Sequence, residues 1–185
     1  MLRLLYLLIC LPFLSIGQYM FDANAVYSDS FTEWDIRAEV FEDDEWHLID
    51  GIIQLNFEGR NDWSSWNFEL QDIDITCRLK WRNNFNHWVM YTPDELITIR
   101  TVWKDEFMKW KITSSSHIIS IESRYRNLTD EWELKSKSIG EWKMYTGREG
   151  DPKEWIIEDD LIEAVDIYHK LAMTFIVLFN SSPKD

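Results

Sequence analysis

Tryptophan recurs along this chain at an almost constant spacing, and this repeat constrains the fold more than any other feature. Trp66, Trp88, Trp110, Trp132 and Trp155 are separated by 22, 22, 22 and 23 residues. A fixed period of this size indicates repeated supersecondary units that bury their apolar faces against one another. The unit is too short for a pair of helices, and its apolar residues alternate with polar ones. Each copy is therefore predicted to be a β-hairpin.

A partial copy of the same repeat unit precedes these five. It begins with Phe31-x-x-Trp34, the spacing of aromatic residues that later copies repeat. The segment 37–51 that follows is predicted to contain a strand, an acidic turn, a second strand and a tight turn at Asp50-Gly51. The six copies and this insertion together predict about 11–12 antiparallel strands.

Strict alternation assigns one apolar and one polar face to this predicted sheet. The repeated tryptophans share the apolar face with the residue two positions beyond each of them. The same parity places on that face three aromatic residues near the ends of first strands, Trp81, Trp103 and Tyr125. Burial explains the tryptophan series better than stacking against a sugar, because each buried indole contributes about 2–3 kcal/mol.

The C-terminal segment differs in kind, since residues 167–179 are apolar around nearly the whole circumference of a helix. We predict a helix over residues 161–180, with Asp159 or Asp160 as its N-cap. A helix that is apolar on every side must be surrounded. A second transmembrane anchor is the alternative, although the segment is short for a span. The predicted fold is mainly β, a single domain over 31–185 in which the hairpins close into a barrel around this buried helix.

Residues 1–17 have the layout of a secretory signal peptide, with one basic residue, a short apolar core and small residues before Gln18. The protein is therefore expected to be periplasmic or secreted, and an uncleaved leader that anchors it in a membrane is the alternative. Residues 18–30 show no period and are predicted to form a tether or an edge segment. Beyond the leader Cys77 is the only thiol, so neither an intramolecular disulfide nor a disulfide-linked partner is expected.

The chain is strongly acidic, with a formal net charge of −14. Long-range repulsion from such a surface argues against nucleic acid as a partner. The four histidines form no i, i+4 pair, the acidic clusters follow no calcium-loop pattern, and no nucleophile or phosphate-loop motif occurs. We therefore expect no metal and no cofactor, and a monomer is the expected oligomeric state.

The hairpin pattern I-x-I-x-x-x-[W/Y] followed by W-x-Φ, together with the apolar tail 171–175, resembles the tubby C-terminal fold. It also resembles the relatives of that fold, the LURP-one and phospholipid-scramblase-like proteins. The resemblance spans residues 31–179 and implies a closed barrel around a buried helix. It also implies binding of lipids or proteins rather than catalysis. Choline-binding and MORN-type repeats, which also carry one tryptophan per hairpin, are the alternative fold; they are richer in glycine and lack the terminal helix.

One cation recurs just before each hairpin turn. These residues are Arg60, Arg82, Lys104, Arg126 and Arg148. Stacked hairpins would place all five along one rim of the barrel, separated by two strand widths, or roughly 9–10 Å. Such a ring can hold an anionic group, such as a lipid headgroup or an acidic glycan. The alternative is local pairing with the acidic and amide residues that follow each cation, which implies no ligand.

Two further tryptophans, Trp46 and Trp63, fall outside the strict alternation and are predicted to be exposed ligand-binding residues. The favoured hypothesis is an exported, non-catalytic binding or interaction module of the cell envelope. Its ligand, an envelope protein, a lipid or a glycan, would contact the rim that carries the five cations. One alternative is a hydrolase that acts on an envelope glycan or lipid with two carboxyl groups as acid and base. A second is a chaperone-like or assembly partner whose ligand is another envelope protein.

Overall fold

The computed structural model of the chain describes residues 19–26, 30–42, 45–56, 62–70, 73–125 and 128–184, and the predicted signal peptide lies outside these ranges. The described residues form twelve strands and one helix. Their bounds are β1 (Tyr19–Ala25), β2 (Glu33–Glu42), β3 (Glu45–Leu55), β4 (Ser65–Leu70), β5 (Ile73–Leu79), β6 (His87–Tyr91), β7 (Leu96–Thr101), β8 (Lys109–Thr113), β9 (Ile118–Ser123), β10 (Glu131–Ser136), β11 (Gly140–Thr146), β12 (Glu154–Leu161) and α1 (Ile167–Ser181).

The twelve strands form one closed antiparallel barrel, which confirms the architecture predicted from the repeat. Each strand pairs with its neighbours in the chain, and β1 completes the ring. Ala23 of β1 lies opposite Ile36 of β2 on one side and Trp155 of β12 on the other. The prediction of a tether or edge segment over 18–30 is therefore wrong for β1, because this strand is hydrogen-bonded along both of its sides.

α1 lies in the lumen of the barrel. Its side chains from His169 to Phe179 are all buried, although they point in every direction around the helix axis. The ring of Phe175 lies 5.7 Å from that of Trp66 and 5.2 Å from that of Trp88, measured between centroids. Within the described ranges, no helix has both the length and the apolar character that crossing a membrane requires. The barrel wall surrounds this helix, as its all-round apolar pattern predicted.

α1 begins six residues later than predicted, because Asp159 and Asp160 belong to β12. The N-cap is Asp166, whose carboxylate accepts a hydrogen bond from the backbone N–H of His169 at 3.0 Å. Asp159 instead points into the lumen with a fully buried side chain, and its Oδ2 lies 2.6 Å from Nζ of Lys170. Asp159, which the sequence suggested as a helix cap, therefore forms a buried ion pair between the barrel wall and the helix.

The five regularly spaced tryptophans form part of the core, as predicted, and each is at most 2 % exposed. Each indole N–H donates to the backbone carbonyl three residues earlier. For Trp88 this bond to Phe85 is 3.1 Å long. The indole is thus satisfied while buried, and it closes the loop that precedes it. Cys77 is buried as well, and burial raises the pKa of its thiol.

Gly51 occupies the middle of a strand, so the predicted tight turn at Asp50-Gly51 is wrong. Its partner across the sheet is Leu70 of β4. A Cβ atom at position 51 would lie 2.8 Å from the backbone oxygen of Glu69 and 2.7 Å from Cδ1 of Leu70. The glycine therefore allows two strands to approach closely, a use of glycine that sequence patterns easily confuse with a turn.

We expect Gly51→Ala to lower the free energy of unfolding by about 1–3 kcal/mol, because the added methyl group overpacks against the backbone of β4. Gly147→Ala is the matched control, since a Cβ there would meet only the carboxyl end of the Glu154 side chain, at 3.0 Å. That end can move, so the control variant should change stability by about 0.5 kcal/mol or less. Urea denaturation measures both. Equal effects would mean that strand approach does not require a glycine at position 51.

Candidate functional site

The barrel has two unlike ends. One end, which we call the long-loop rim, includes the connections 80–86, 102–108 and 147–153 and the described residues 30–32, 62–64, 124–125 and 128–130. The opposite end, the short-turn rim, includes the connections 92–95, 114–117 and 137–139. α1 starts at the short-turn rim and ends at the long-loop rim. There the side chains of Asn180 and Ser181 donate hydrogen bonds to the carbonyls of Phe107 and Thr129.

Three of the five cations predicted from the repeat belong to the long-loop rim. Arg82, Lys104 and Arg148 are exposed there, whereas Arg60 and Arg126 lie outside the described residues. In the loops 80–86 and 102–108 the cation is the second residue of a turn closed by a backbone hydrogen bond, Asn84 N–H to Trp81 in the first loop. In the loop 147–153 it is the first residue of such a turn. The shift agrees with the longer spacing of the last repeat.

The charges of these three cations are not used up by ion pairs. Among the residues that the structure describes, none of Arg82, Lys104 and Arg148 has a carboxylate oxygen within 4.0 Å. Asp105, which follows Lys104, instead accepts a hydrogen bond from the side-chain amide of Asn86 at 2.9 Å. The charge of Arg82 nevertheless helps to lower the pKa of Asp62, so this cation has an acidic neighbour beyond ion-pair distance. Among the described residues, local pairing at ion-pair distance does not occur at these three cations.

Exposed aromatic residues precede two of these cations. The alternation of apolar residues did not predict that their side chains are exposed. Trp81 is 60 % exposed and Trp103 is 67 % exposed, and Tyr125 of the next loop is 46 % exposed. Parity had placed all three on the apolar face of the sheet, which is wrong. The strands end two residues earlier, at Leu79, Thr101 and Ser123, so the alternation no longer determines where these rings point.

The two tryptophans proposed as ligand-binding residues have different outcomes. Trp63 is half-buried, with its ring centroid 6.0 Å from that of the core residue Trp66. The prediction that Trp63 is exposed is wrong, because it occupies the position that Phe85 holds beside Trp88 in the next repeat. Trp46 belongs to β3, and its side chain is outside the described part of the structure.

A hydrogen-bond bridge fixes the loops 80–86 and 102–108 relative to each other. The side-chain oxygen of Asn86 accepts from the backbone N–H of Asp105 at 2.7 Å and from the hydroxyl of Thr101 at 3.0 Å. Asn83 and Asp105 both adopt positive φ, 59° and 61°, where asparagine and aspartate are tolerated better than most residues. The two tryptophan-bearing loops therefore have the same backbone geometry and are held as a unit.

A shallow depression of about 240 Å³ lies between these two loops. Its lining is polar or cationic and includes Asn84, His87, Arg100 and Lys104. Burial lowers the pKa of His87, and the nearby charges of Lys80 and Arg100 lower it further. His87 is therefore a neutral hydrogen-bonding group at pH 7, and the positive charge of the depression comes from Arg100 and Lys104.

A second cluster of polar side chains fixes the start of α1 at the short-turn rim. The ring of His169, which is fully buried, has Nδ1 2.7 Å from a carboxylate oxygen of Asp166 and Nε2 2.9 Å from Oγ of Ser114. The distances match a serine–histidine–aspartate triad. However, Oγ of Ser114 already accepts hydrogen bonds from the backbone N–H groups of Ser116 and His117. This hydroxyl closes a turn, and the cluster joins that turn to the helix.

The same cluster brings Glu95, Asp166 and His169 together, with one ligand-type atom of each within 4.8 Å of the others. These groups are satisfied without an ion. Oε2 of Glu95 accepts from the hydroxyl of Ser115 at 2.6 Å, and Asp166 accepts from His169. The hydrogen bond from Ser115 is the main reason that the pKa of Glu95 is lowered.

We expect Asp166→Ala to destabilise the protein by about 1–2 kcal/mol at pH 7, the usual cost of losing an N-cap. Burial acts to raise the pKa of Asp166, but hydrogen bonds from His169 outweigh it and the net shift is downward. A lowered carboxyl pKa means that the ionised form stabilises the fold above the unfolded-state value. This stabilisation disappears as the pH falls through the folded-state pKa.

The difference between wild type and Asp166→Ala should therefore shrink below about pH 4. Asp166→Asn is the control, because its side-chain oxygen still accepts from His169 N–H but cannot ionise. The stability difference between Asp166→Asn and Asp166→Ala should therefore depend little on pH. Chemical denaturation between pH 3 and 7 measures both variants. A wild-type advantage that persists unchanged at the acid limit would contradict this assignment.

No family model, no curated protein and no solved structure matches this chain.

Proposed function

We propose that this protein is an exported, non-catalytic binding module whose long-loop rim recognises an anionic ligand. The observation that carries the proposal is the row of exposed cations without ion-pair partners in the described structure, Arg82, Lys104 and Arg148. Exposed cations that lack partners cost nothing to leave in water, but they attract anions strongly once a ligand excludes that water.

The filled lumen supports a ligand site on the outside of the barrel. α1 occupies the interior, where ligand-binding barrels hold a small molecule. The remaining surface is the wall and the two rims. On the wall, Arg37 and Lys109 form cross-strand ion pairs with Asp50 and Glu122. In the long-loop rim, exposed cations recur in three described loops, 80–86, 102–108 and 147–153.

The proposed location is the periplasm or the space outside the cell, and it rests on the signal-peptide pattern of residues 1–17. The partner is an envelope protein, lipid or glycan that carries negative charge. The resemblance to tubby-like proteins favours the same class of function, since that family binds lipids or proteins.

The alternative, a hydrolase with two carboxyl groups, has less support. A general acid needs a raised pKa. The pKa values of the carboxyl groups of Asp62, Glu95 and Asp166 are shifted, and all three are lowered. A depression of about 570 Å³ on the outer wall contains Glu131 and Glu158. Both form ion pairs, with Arg124 and with Lys143.

Combined reversal of the three described rim charges tests the proposal. We expect Arg82→Glu, Lys104→Glu and Arg148→Glu together to abolish retention on immobilised polyanions at low ionic strength, where exposed charges are least screened. The probes are phosphocellulose, heparin and polyglutamate. A matched control reverses Arg37, Lys111 and Lys137, which lie away from this rim, and changes the net charge equally. The proposal fails if the wild type is not retained on any matrix, or if the control loses retention as fully as the rim variant.

A further inference from the structure

We propose that the anionic ligand is an acidic polysaccharide chain whose successive sugar rings stack on Trp81 and Trp103 of the long-loop rim. Arg82 and Lys104 would pair with the carboxylate or sulfate groups of that chain. This inference rests on the proposed function and goes further, because it assigns the apolar contribution to binding as well as the charge.

The first argument is the placement of the two indoles. Each begins a turn at the same point of its loop, and the backbone carbonyl of each accepts a hydrogen bond three residues on, at 3.1 Å for Trp81 and 3.2 Å for Trp103. The loops are two strands apart around the barrel, so equivalent atoms are separated by roughly 9–10 Å. This is about the span of two sugar rings. Tyr125 continues the row by one further step in the next loop.

The second argument is that exposure of these rings is unusual for this protein. The other tryptophans whose side chains the structure describes are buried or half-buried, and most lie in the core. Leaving Trp81 and Trp103 in water forgoes about 2–3 kcal/mol of burial for each ring. Exposed aromatic residues that recur at one rim are the sign of a contact surface.

The third argument is rigidity. The side chain of Asn86 joins the two loops through Thr101 and Asp105, so the spacing between the backbones that carry the rings is set before any ligand arrives. The ammonium group of Lys80 lies 5.9 Å from the centre of the Trp81 ring. A preorganised platform loses little conformational freedom on binding, and a rigid row of rings suits a regular polymer.

The fourth argument is the chemistry around the rings. The depression between the loops contains two neutral polar side chains that can meet sugar hydroxyl groups, the amide of Asn84 and the imidazole of His87, beside the charges of Arg100 and Lys104. Ring faces for stacking, neutral polar groups for hydroxyls and cations for acidic substituents are thus within one small surface. Such a combination fits an acidic sugar better than a simple inorganic anion.

The net charge of the protein favours a narrow polymer over an anionic bilayer. A flat anionic surface facing this rim would also meet Glu106, Glu149 and Asp151, all in connections of the same rim, and the chain as a whole carries a charge of −14. A polysaccharide strand that follows Trp81 and Trp103 contacts only a few loops. It therefore gains the attraction of the cations with less repulsion from the acidic surface.

The test is titration of the full protein, by calorimetry and tryptophan fluorescence, with oligosaccharides of alginate, hyaluronan and heparin. Polyglutamate of similar charge supplies a polyanion without sugar rings. Vesicles of equal parts phosphatidylcholine and phosphatidylglycerol supply an anionic bilayer. We expect at least one oligosaccharide to bind more tightly than polyglutamate. In the double variant Trp81→Ala/Trp103→Ala its affinity should fall about 10- to 100-fold, since each aromatic contact is worth a few-fold to tenfold.

Two variants control for changes in folding. Trp81→Phe/Trp103→Phe keeps a ring at each position and should retain most of the affinity. Tyr91→Ala/Ile118→Ala removes two exposed apolar side chains at the opposite end of the barrel and should change nothing. The side chains of Tyr91 and Ile118 are at least 43 % exposed, so truncating them does not disturb the core.

The outcomes separate this inference from the proposed function. Unchanged oligosaccharide affinity in the double alanine variant overturns stacking, while loss of retention on charge reversal still supports an anion-binding rim. Vesicle binding that depends on Trp81 and Trp103, without oligosaccharide binding, overturns the inference in favour of a bilayer. Equal affinity for polyglutamate and the oligosaccharides also overturns it. Failure of every polyanion to bind overturns both proposals.

Discussion

Phe175→Ala is expected to lower the free energy of unfolding by about 3–5 kcal/mol, the range for removing a phenylalanine from a packed core. The side chain is 1 % exposed and sits at the centre of the lumen. Its ring lies within 6 Å, between centroids, of Trp66, Phe68 and Trp88 on the wall. Those rings are held by their own strands and loops, so they cannot collapse into the space that the substitution leaves.

Urea denaturation followed by circular dichroism measures this loss. Phe175→Leu is the matched control, since it retains most of the volume, and we expect it to cost about 1–2 kcal/mol. A cost below about 1 kcal/mol for the alanine variant would contradict the placement of α1, because an exposed or loosely packed helix face tolerates truncation. The measurement therefore tests the architecture as well as one side chain.

The repeat made most of this architecture predictable. Inward-facing residues in the hairpins follow a period of two, and the tryptophan of each copy satisfies its N–H within its own loop. The alternation is local, so the sequence alone reveals it, whereas the hydrogen bonds of the indoles emerge from the structure. The all-round apolar character of residues 167–179 then required a surrounding wall, and a closed sheet of hairpins provides one.

The errors in the fold occurred where a partner distant in sequence decides the structure. β1 lacks the repeated phrase, and it is a strand because both β12 and β2 require a neighbour to close the ring. Asp159 resembled a helix cap. It is instead an inward-facing residue of β12, and its carboxylate pairs with the ammonium group of Lys170. Gly51 resembled a turn, but it lets the backbone of β4 approach.

The candidate site was predicted in part. The spacing of the cations predicted one rim, and the three described members lie there. The exposed rings of Trp81 and Trp103 were missed because alternation was extended beyond the last paired residues of β5 and β7. A local signal marks the boundary, since Asn83 and Asp105, two residues after each tryptophan, are residue types that accept positive φ. The strands therefore end before these tryptophans.

Lys170→Met is expected to cost about 3–5 kcal/mol, because it leaves a buried carboxylate without its cation. The side chain of Asp159 is fully buried, and its Oδ2 lies 2.6 Å from Nζ of Lys170. The other oxygen, Oδ1, accepts a hydrogen bond from the backbone N–H of Leu161 at 3.0 Å. Water does not reach this carboxylate to replace the ammonium group, so the full penalty of an isolated charge falls on the folded state.

A double-mutant cycle distinguishes this electrostatic cost from lost packing. Asp159→Asn keeps an oxygen that can accept from Leu161, and it removes the negative charge. We therefore expect Lys170→Met/Asp159→Asn to be more stable than Lys170→Met alone, with an interaction energy of about 2 kcal/mol or more between the two positions. Urea denaturation of the four proteins measures it. Additive effects would show that the ion pair contributes little to holding the helix, and that the lumen tolerates Asp159 for another reason.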